Sequence, residues 1–215
     1  MTPAAVLFDC DGVISDSEGI SLALAADDLA AHGLPMTPQG IADRFLGGTI
    51  AGLRDQANAL GAAPPTDWAD GFYKRLYARL AEGTPLVPGI EPVLDRLDAA
   101  GIPYAVGSNG TMRKMEITLG QHPALNARLQ GRLFSGQDLG LIKPDPGLYL
   151  HAAGALGVPA ADCIVVEDSP TGARAARLAQ MVCYGFAAHG EGARLAAEGA
   201  TVFRDMADLP GLLGL

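Results

Sequence analysis

The 215-residue chain has little charge, little of it basic, few cysteines and no long apolar runs, and each shortage closes off a class of function. Only 18% of residues are charged while 49% are hydrophobic, a balance that suits a packed globule and not a disordered chain. Fifteen Lys and Arg against 24 Asp and Glu leave a net charge of −9, which argues against nucleic acid or an anionic membrane as partner. Cys10, Cys163 and Cys183 are too scattered for a zinc pattern, and each lies in or beside a predicted strand. Buried free thiols in a reducing cytosol are therefore expected. No window approaches the ~20 apolar residues of a membrane span. Met1-Thr2-Pro3 opens no signal-peptide pattern, so a cytoplasmic location is expected. Internal repeats and low-complexity segments are missing as well. The length allows a substantial core, in one domain or in a larger and a smaller one.

What is present is organised around Val6-Leu7-Phe8-Asp9-Cys10-Asp11-Gly12-Val13. The apolar run from Ala4 to Phe8 reads as a buried strand, followed at once by two carboxylates two residues apart. Positions i and i+2 of an extended chain share a side, so Asp9 and Asp11 are expected to converge on one point. Gly12 lets the backbone turn away. Two acids at the end of a buried strand form an ion site, because neither stays charged there unpaired. A solvated turn carrying two surface acids is the alternative.

Residues from about 18 to 82 are helical in pattern and lack strand signals. Leu22, Ala25, Ala26 and Leu29 mark one face of a first helix that stops near Gly33. Thr37-Pro38, Thr49 and Thr66-Asp67 are N-caps for three more, with Gly61 ending the third. The Pro- and Gly-rich stretch from Glu82 to Gly89 reads as a return connector. A helical insert between two turn-rich connectors predicts a small mobile domain, the alternative being helices that pack on the main body. From Ile90 helices and strands alternate. The segment Ile90–Ala100 is helical and ends at Gly101. Strands are expected at Tyr104–Gly107, Arg132–Phe134, Cys163–Val166, Val182–Phe186 and Thr201–Phe203. Short apolar strands separated by helices read as a parallel sheet covered on both faces, an α/β fold.

Chemistry collects in the loops after these strands, where such a sheet places it. Ser108-Asn109-Gly110 precedes a helix from Thr111, and a hydroxyl with amides at a helix start suits a phosphate group, though Ser and Asn are also ordinary caps. In Leu141-Ile142-Lys143-Pro144-Asp145-Pro146, Asp145 is expected to cap a helix that Pro146 begins, which fixes the chain after Lys143. Lys143 then reads as a fixed cation, with a solvated lysine as the alternative. Glu167-Asp168-Ser169-Pro170 repeats the pattern of two acids after an apolar strand. Oxygen ligands from two separate strands suit a hard cation such as Mg²⁺, while a capping role for Asp168 is the bland reading.

Together these four loops resemble the four motifs of the haloacid dehalogenase superfamily, in the right order: Asp9-Cys10-Asp11-Gly12-Val13, Ser108-Asn109, Lys143-Pro144-Asp145-Pro146 and Glu167-Asp168-Ser169. The helical insert resembles that family's small cap. Within the superfamily the chain is similar to the branch containing β-phosphoglucomutase, phosphoglycolate phosphatase and sugar-phosphate phosphatases. Gly107-Ser108-Asn109-Gly110 with Lys114-Met115, and Phe134-Ser135-Gly136, resemble phosphatases of 6-phosphogluconate and related sugar phosphates most. The resemblance implies a Rossmann-like doubly wound parallel sheet as core (residues 1–15 and 84–215) and an inserted α-helical cap (16–83) that selects substrate. It implies a Mg²⁺-dependent phosphatase of a small phosphorylated metabolite. Asp9 would be the nucleophile that becomes an aspartyl phosphate, and Asp11 the acid and then base. Ser108, Asn109, Gly110 and Lys143 would meet the phosphate. The metal would sit on the Asp9 carboxylate, the Asp11 carbonyl and Asp168, with Glu167 nearby or acting through water.

An alkoxide leaving group needs a proton and a halide does not, so Asp11 favours phosphoryl transfer over dehalogenation. A β-phosphoglucomutase-like mutase is the enzymatic alternative, and a catalytically idle phosphometabolite-binding protein is the alternative of another class. The mutases carry a His shortly after the first motif and a phosphate-binding Arg early in the cap. Ser21 and Ile50 stand at those positions here, the latter in Leu46-Gly47-Gly48-Thr49-Ile50. Ile50 cannot bind a phosphate, although Arg54 lies close by in sequence. Arg44, Arg54, Lys74 and Arg75 are the insert's candidates for a second charged group on the substrate. The oligomeric state is not readable, and a monomer is compatible with everything above.

Overall fold

Ala5, Val6, Leu7 and Phe8 are apolar without alternation, and all four are fully buried, as a strand covered on both faces requires. This strand, β1 (Ala5–Phe8), lies inside a parallel sheet with β2 (Tyr104–Ser108), β3 (Leu133–Ser135), β4 (Cys163–Glu167), β5 (Val182–Phe186) and β6 (Thr201–Phe203). The strand order is β3-β2-β1-β4-β5-β6, the doubly wound, Rossmann-like arrangement. The computed structural model describes residues 2–45, 49–188 and 192–215.

Between β1 and β2 come α1 (Glu18–Ala31), α2 (Pro38–Phe45), α3 (Ile50–Ala59), α4 (Trp68–Ala81) and α5 (Ile90–Ala99). Helices α6 (Met112–Leu119) and α7 (Pro123–Arg128) join β2 to β3, and α8 (Gly136–Leu139) and α9 (Gly147–Leu156) join β3 to β4. Then α10 (Pro170–Leu178) leads to β5, α11 (Gly192–Ala197) to β6, and α12 (Leu209–Leu213) follows. Val6 and Phe8 point to the face covered by α5, α6 and α12, through Leu94, Leu97, Leu119 and Leu209. Ala5 and Leu7 point to the other, covered by α9, α10 and α11 through Tyr149, Ala176 and Leu195. The three cysteines are buried free thiols.

The inserted helices α1 to α4 have a core of their own. Trp68, Phe72, Leu76 and Leu80 recur every four residues along α4 and meet Ala25, Leu29, Leu53 and Ala57. Ile117 of α6 also packs against this cluster, so α4 lies on the main body. Two tyrosines of α4 add polar links: Tyr77 Oη is 2.6 Å from Thr111 Oγ1, and Tyr73 Oη donates to Gln137 Oε1 at 3.2 Å. The two connectors run side by side. Asp16 N–H donates to the Pro85 carbonyl and Val87 N–H to the Ile14 carbonyl, both at 2.9 Å.

Local chemistry sets several helix starts. Thr37 Oγ1 accepts from Gly40 N–H at 3.0 Å and Thr49 Oγ1 from Gly52 N–H at 3.1 Å. At Thr66-Asp67 the expected side-chain cap is not made, because Asp67 is not extended (φ −91°, ψ 9°) and its carboxylate misses the helix amides. Of the stretch Leu46-Gly47-Gly48-Thr49-Ile50, the first three residues lie outside the described ones. Among the described residues no helix is long and apolar enough to cross a membrane.

Candidate active site

Because β1 lies between β2 and β4, their carboxyl ends sit side by side, and the first, second and fourth loops meet there. The third loop joins them through a pair of hydrogen bonds that the sequence did not announce. Asn109 Nδ2 donates to the Lys143 carbonyl at 3.1 Å, and Lys143 N–H donates to Asn109 Oδ1 at 2.8 Å. The amide that the sequence reading assigned to substrate thus holds the lysine's own backbone. Gly147 N–H donates to Asp145 Oδ1 at 2.7 Å, which fixes the far side of this loop. The helix starts at Gly147, one residue later than expected, with Pro146 in the capping position.

Lys143 is buried, and its ammonium lies 2.5 Å from Asp9 Oδ1 and 2.6 Å from Glu167 Oε1. Its nitrogen also stands 4.8 Å from the centre of the Tyr149 ring. Burial pulls this ammonium toward losing its proton, but Asp9 and Glu167 outweigh burial and raise its pKa above the usual lysine range. Glu167 is fully buried and occupied on both oxygens. Oε1 also accepts from Tyr149 Oη at 2.7 Å, and Oε2 accepts from Ser169 N–H at 3.1 Å and Ser169 Oγ at 2.9 Å. Its backing is tight: a Cβ on Gly172 would sit 1.7 Å from Oε1.

Asp9, Glu167 and Asp168 form an acidic group whose oxygens lie within 4.8 Å of one another. Asp11 stands outside it, so the two carboxylates of the first motif share a cavity but have different partners. Asp11 Oδ1 pairs with Lys114 Nζ at 2.8 Å and accepts from Ser17 Oγ at 2.5 Å, and Oδ2 lies 3.4 Å from Ser108 Oγ. Burial would raise the Asp11 carboxyl, but Lys114 and these hydroxyls hold it below the usual carboxylate range. Gly110 N–H donates to Ser108 Oγ at 2.9 Å, and Ser135 Oγ donates to the Gly110 carbonyl at 2.8 Å, which shapes the turn.

The other two acids are poorly accommodated as anions. Burial raises the Asp9 carboxyl to about 7 despite Lys143, with Glu167 and Asp11 adding to the rise. Asp168 is pushed well up by burial and by the charges of Asp9, Glu18 and Glu167. Its carboxylate fills a notch where a Cβ on Gly12, which has φ +80°, would lie 2.0 Å from Oδ2. A divalent cation between Asp9 and Asp168 would offset their repulsion, and oxygen donors from two strands suit Mg²⁺. The residues fit such an ion. Glu167, with both oxygens already taken, is better suited to orienting Lys143 than to direct ligation.

Two participants went unassigned at the sequence level. Tyr149 left no local signal. Lys114 did: it shares the buried face of α6 with Met115, Thr118 and Leu119, an unusual place for an unpaired lysine. Asp9, Asp11, Ser108, Asn109, Gly110, Lys143 and Asp168 line one cavity, roofed by Leu22, Ile41, Ile50 and Leu53 of the insert. Arg44, Arg54, Lys74 and Arg75 are not in its lining. Arg54 instead donates to the Thr66 carbonyl at 2.8 Å and pairs with Asp55, while Arg75 pairs with Asp28.

Residues 3–180 match the model of the haloacid dehalogenase-like hydrolases, so the chain belongs to that family. It is 32% identical over 209 residues to the 6-phosphogluconate phosphatase of Escherichia coli (strain K12), covering 97% of this chain and 93% of that protein. A phosphoglycolate phosphatase of Xanthomonas campestris is 33% identical over 181 residues, 83% of this chain and 80% of that one. Among solved structures, a haloacid dehalogenase family hydrolase from Deinococcus radiodurans R1, with bound phosphate and sodium, superposes with a TM-score of 0.79. It is 32% identical, with 99% of this chain and 96% of that one covered. The chain is a hydrolase of phosphoric monoesters.

Proposed function

We propose that the chain dephosphorylates a small phosphorylated metabolite, a sugar phosphate or a close analogue, with Mg²⁺ and through an aspartyl phosphate on Asp9. Asp9 Oδ2 attacks phosphorus while Oδ1 stays with Lys143, which offsets negative charge on the nucleophile and on the transferring group. Asp11, a carboxylate while it is paired with Lys114, takes up a proton from solvent as the negative phosphate settles beside it. It gives that proton to the departing alkoxide and later takes one from the water that cleaves the aspartyl phosphate. Ser108 Oγ and the turn through Gly110 orient the phosphate oxygens. Asn109 and Glu167 act one step back, by fixing Lys143 at its backbone and at its ammonium. Mg²⁺, held by the carboxylates of Asp9 and Asp168 and the Asp11 carbonyl, would neutralise charge that two lysines cannot cover. The insert, residues 16–83, serves as the cap, and the cytoplasm is the proposed location.

The observation that carries this reading is the Asp9–Lys143 contact in a roofed cavity that Asp11 and Asp168 also line. Asp9→Asn tests it. The nearly isosteric variant is expected to fold as before and to lose phosphate release from p-nitrophenyl phosphate by roughly a thousandfold or more. Activity within about tenfold of the original would remove Asp9 as nucleophile.

A further inference from the structure

We infer that the substrate is a phosphomonoester whose leaving alcohol carries no charge and turns an apolar face toward the insert. The inference rests on the phosphatase reading and narrows it. The cavity has two unlike ends. Its floor holds Asp9, Asp11, Lys143 and Asp168, where the phosphate reacts. Its roof is made by Leu22, Ala25, Ile41, Ile50, Leu53 and Leu76. The remaining wall outside the reacting groups offers Ser21, Thr49, Tyr73 and Gln137, which are neutral hydrogen-bonding groups, and Glu18, which is acidic.

The charge inventory decides the class. Two ammoniums line the cavity among the described residues, and both are engaged: Lys143 with Asp9 and Glu167, Lys114 with Asp11. None of the insert's four candidate cations lines the cavity: Arg54 is turned to Thr66 and Asp55, Arg75 to Asp28, and Arg44 and Lys74 are exposed. Residues 46–48 are Leu, Gly and Gly and contribute no charge. A carboxylate or second phosphate under this roof would lose its water and gain no unengaged cation among the described residues. Burying an unpaired anion is among the costliest single events in a binding site. A hydroxyl in the same place finds neutral partners, and a CH or CH₂ edge finds leucine and isoleucine. Short polyol phosphates and neutral sugar phosphates meet these terms. Phosphoglycolate and 6-phosphogluconate, each with a carboxylate, do not, so this chain's preference should differ from what the two named relatives act on.

Matched pairs test the idea. Glycerol 3-phosphate and 3-phosphoglycerate differ by CH₂OH against COO⁻, as glucose 6-phosphate and 6-phosphogluconate differ at carbon 1. The neutral member of each pair is expected to show kcat/KM roughly tenfold higher or more. Equal values, or preference for the carboxylate, would overturn the inference. Ile50→Lys adds a cation to the roof and is expected to narrow or reverse the gap, mainly through KM. Should that variant not fold, calorimetric binding of both pairs to folded Asp9→Asn protein carries the same comparison, with the neutral member binding tighter. Failure to hydrolyse any ester, p-nitrophenyl phosphate included, would count against the phosphatase reading alone. The binding comparison would still decide the charge preference.

Discussion

The side-chain amide of Asn109 embraces the peptide of Lys143, donating to its carbonyl at 3.1 Å and accepting from its N–H at 2.8 Å. One residue on the β2 loop therefore sets where the lysine of a distant loop begins its reach toward Asp9. Asn109→Ala should leave the ammonium charged but poorly aimed. The expected result is a fall in kcat of about tenfold to a hundredfold, with KM changing less. Asn109→Asp, which keeps the acceptor and loses the donor, should fall between. Steady-state kinetics on both variants checks this.

Lys114 is the partner of Asp11, and it can be tested through the conservative variant. Lys114→Met leaves Asp11 with only the hydroxyls of Ser17 and Ser108. We expect kcat to drop on the order of tenfold in a folded protein and to recover in part with Lys114→Arg, which restores the charge but not the shape. Equal loss in both variants would point to packing of α6 instead.

Metal removal addresses the acidic group. EDTA should abolish phosphate release and added Mg²⁺ restore it, while Ca²⁺, with its looser and larger coordination, should support it poorly. Mg²⁺ should also raise the melting temperature, and Asp168→Ala should erase that rise. Full activity in metal-free buffer would contradict the proposed site.

Far from the site, Glu198 pairs with Arg174 and Arg177, and the hydrogen bond from Arg174, with help from Arg177, lowers its carboxyl to about 2. A depressed carboxylate stabilises the fold above its unfolded pKa, and that contribution disappears as pH falls through the folded value. Glu198→Gln should lower the melting temperature slightly at pH 7, because both arginines are half exposed to water. The gap between variant and parent should close between about pH 4.5 and pH 2. Thermal melts across that window check it.

How much of this was legible in the chain depends on the range over which each feature is decided. β5 and β6 fall where their apolar runs place them, because run length and flanking turns are local properties. Thr37 and Thr49 cap as expected because a cap needs only three further residues. Thr66-Asp67 shows the limit, since the same residue types fail once the backbone is not extended. Three of the four loops were found by their acids and their lysine and the second by Ser108-Asn109-Gly110 before a helix, but their partnerships were not found. Asn109 meets Lys143 across 34 residues, and Tyr149 meets Glu167 only because α9 packs across β1 and β2, next to β4 in the sheet. Those contacts depend on strand order, which no single segment carries. Asp9 and Asp11 do line one cavity, but alternation along a strand says nothing of the partner that each one takes. The strand stops at Phe8, and the turn through Gly12 sends Asp11 to Lys114.

The space beside Glu167 has a consequence for how this protein could change over generations. Gly172 has no side chain where Glu167 Oε1 and Oε2 lie, and a single methyl there would overlap a carboxylate that is pinned by four hydrogen bonds. Alanine suits the helical backbone at that position, so the helix itself would tolerate the change. The overlap would fall on the counter-charge of Lys143, not on the sheet or its helices. One small mutation could thus turn the enzyme into an inert but folded descendant that keeps all four sequence motifs, and motif inspection alone would not reveal the loss.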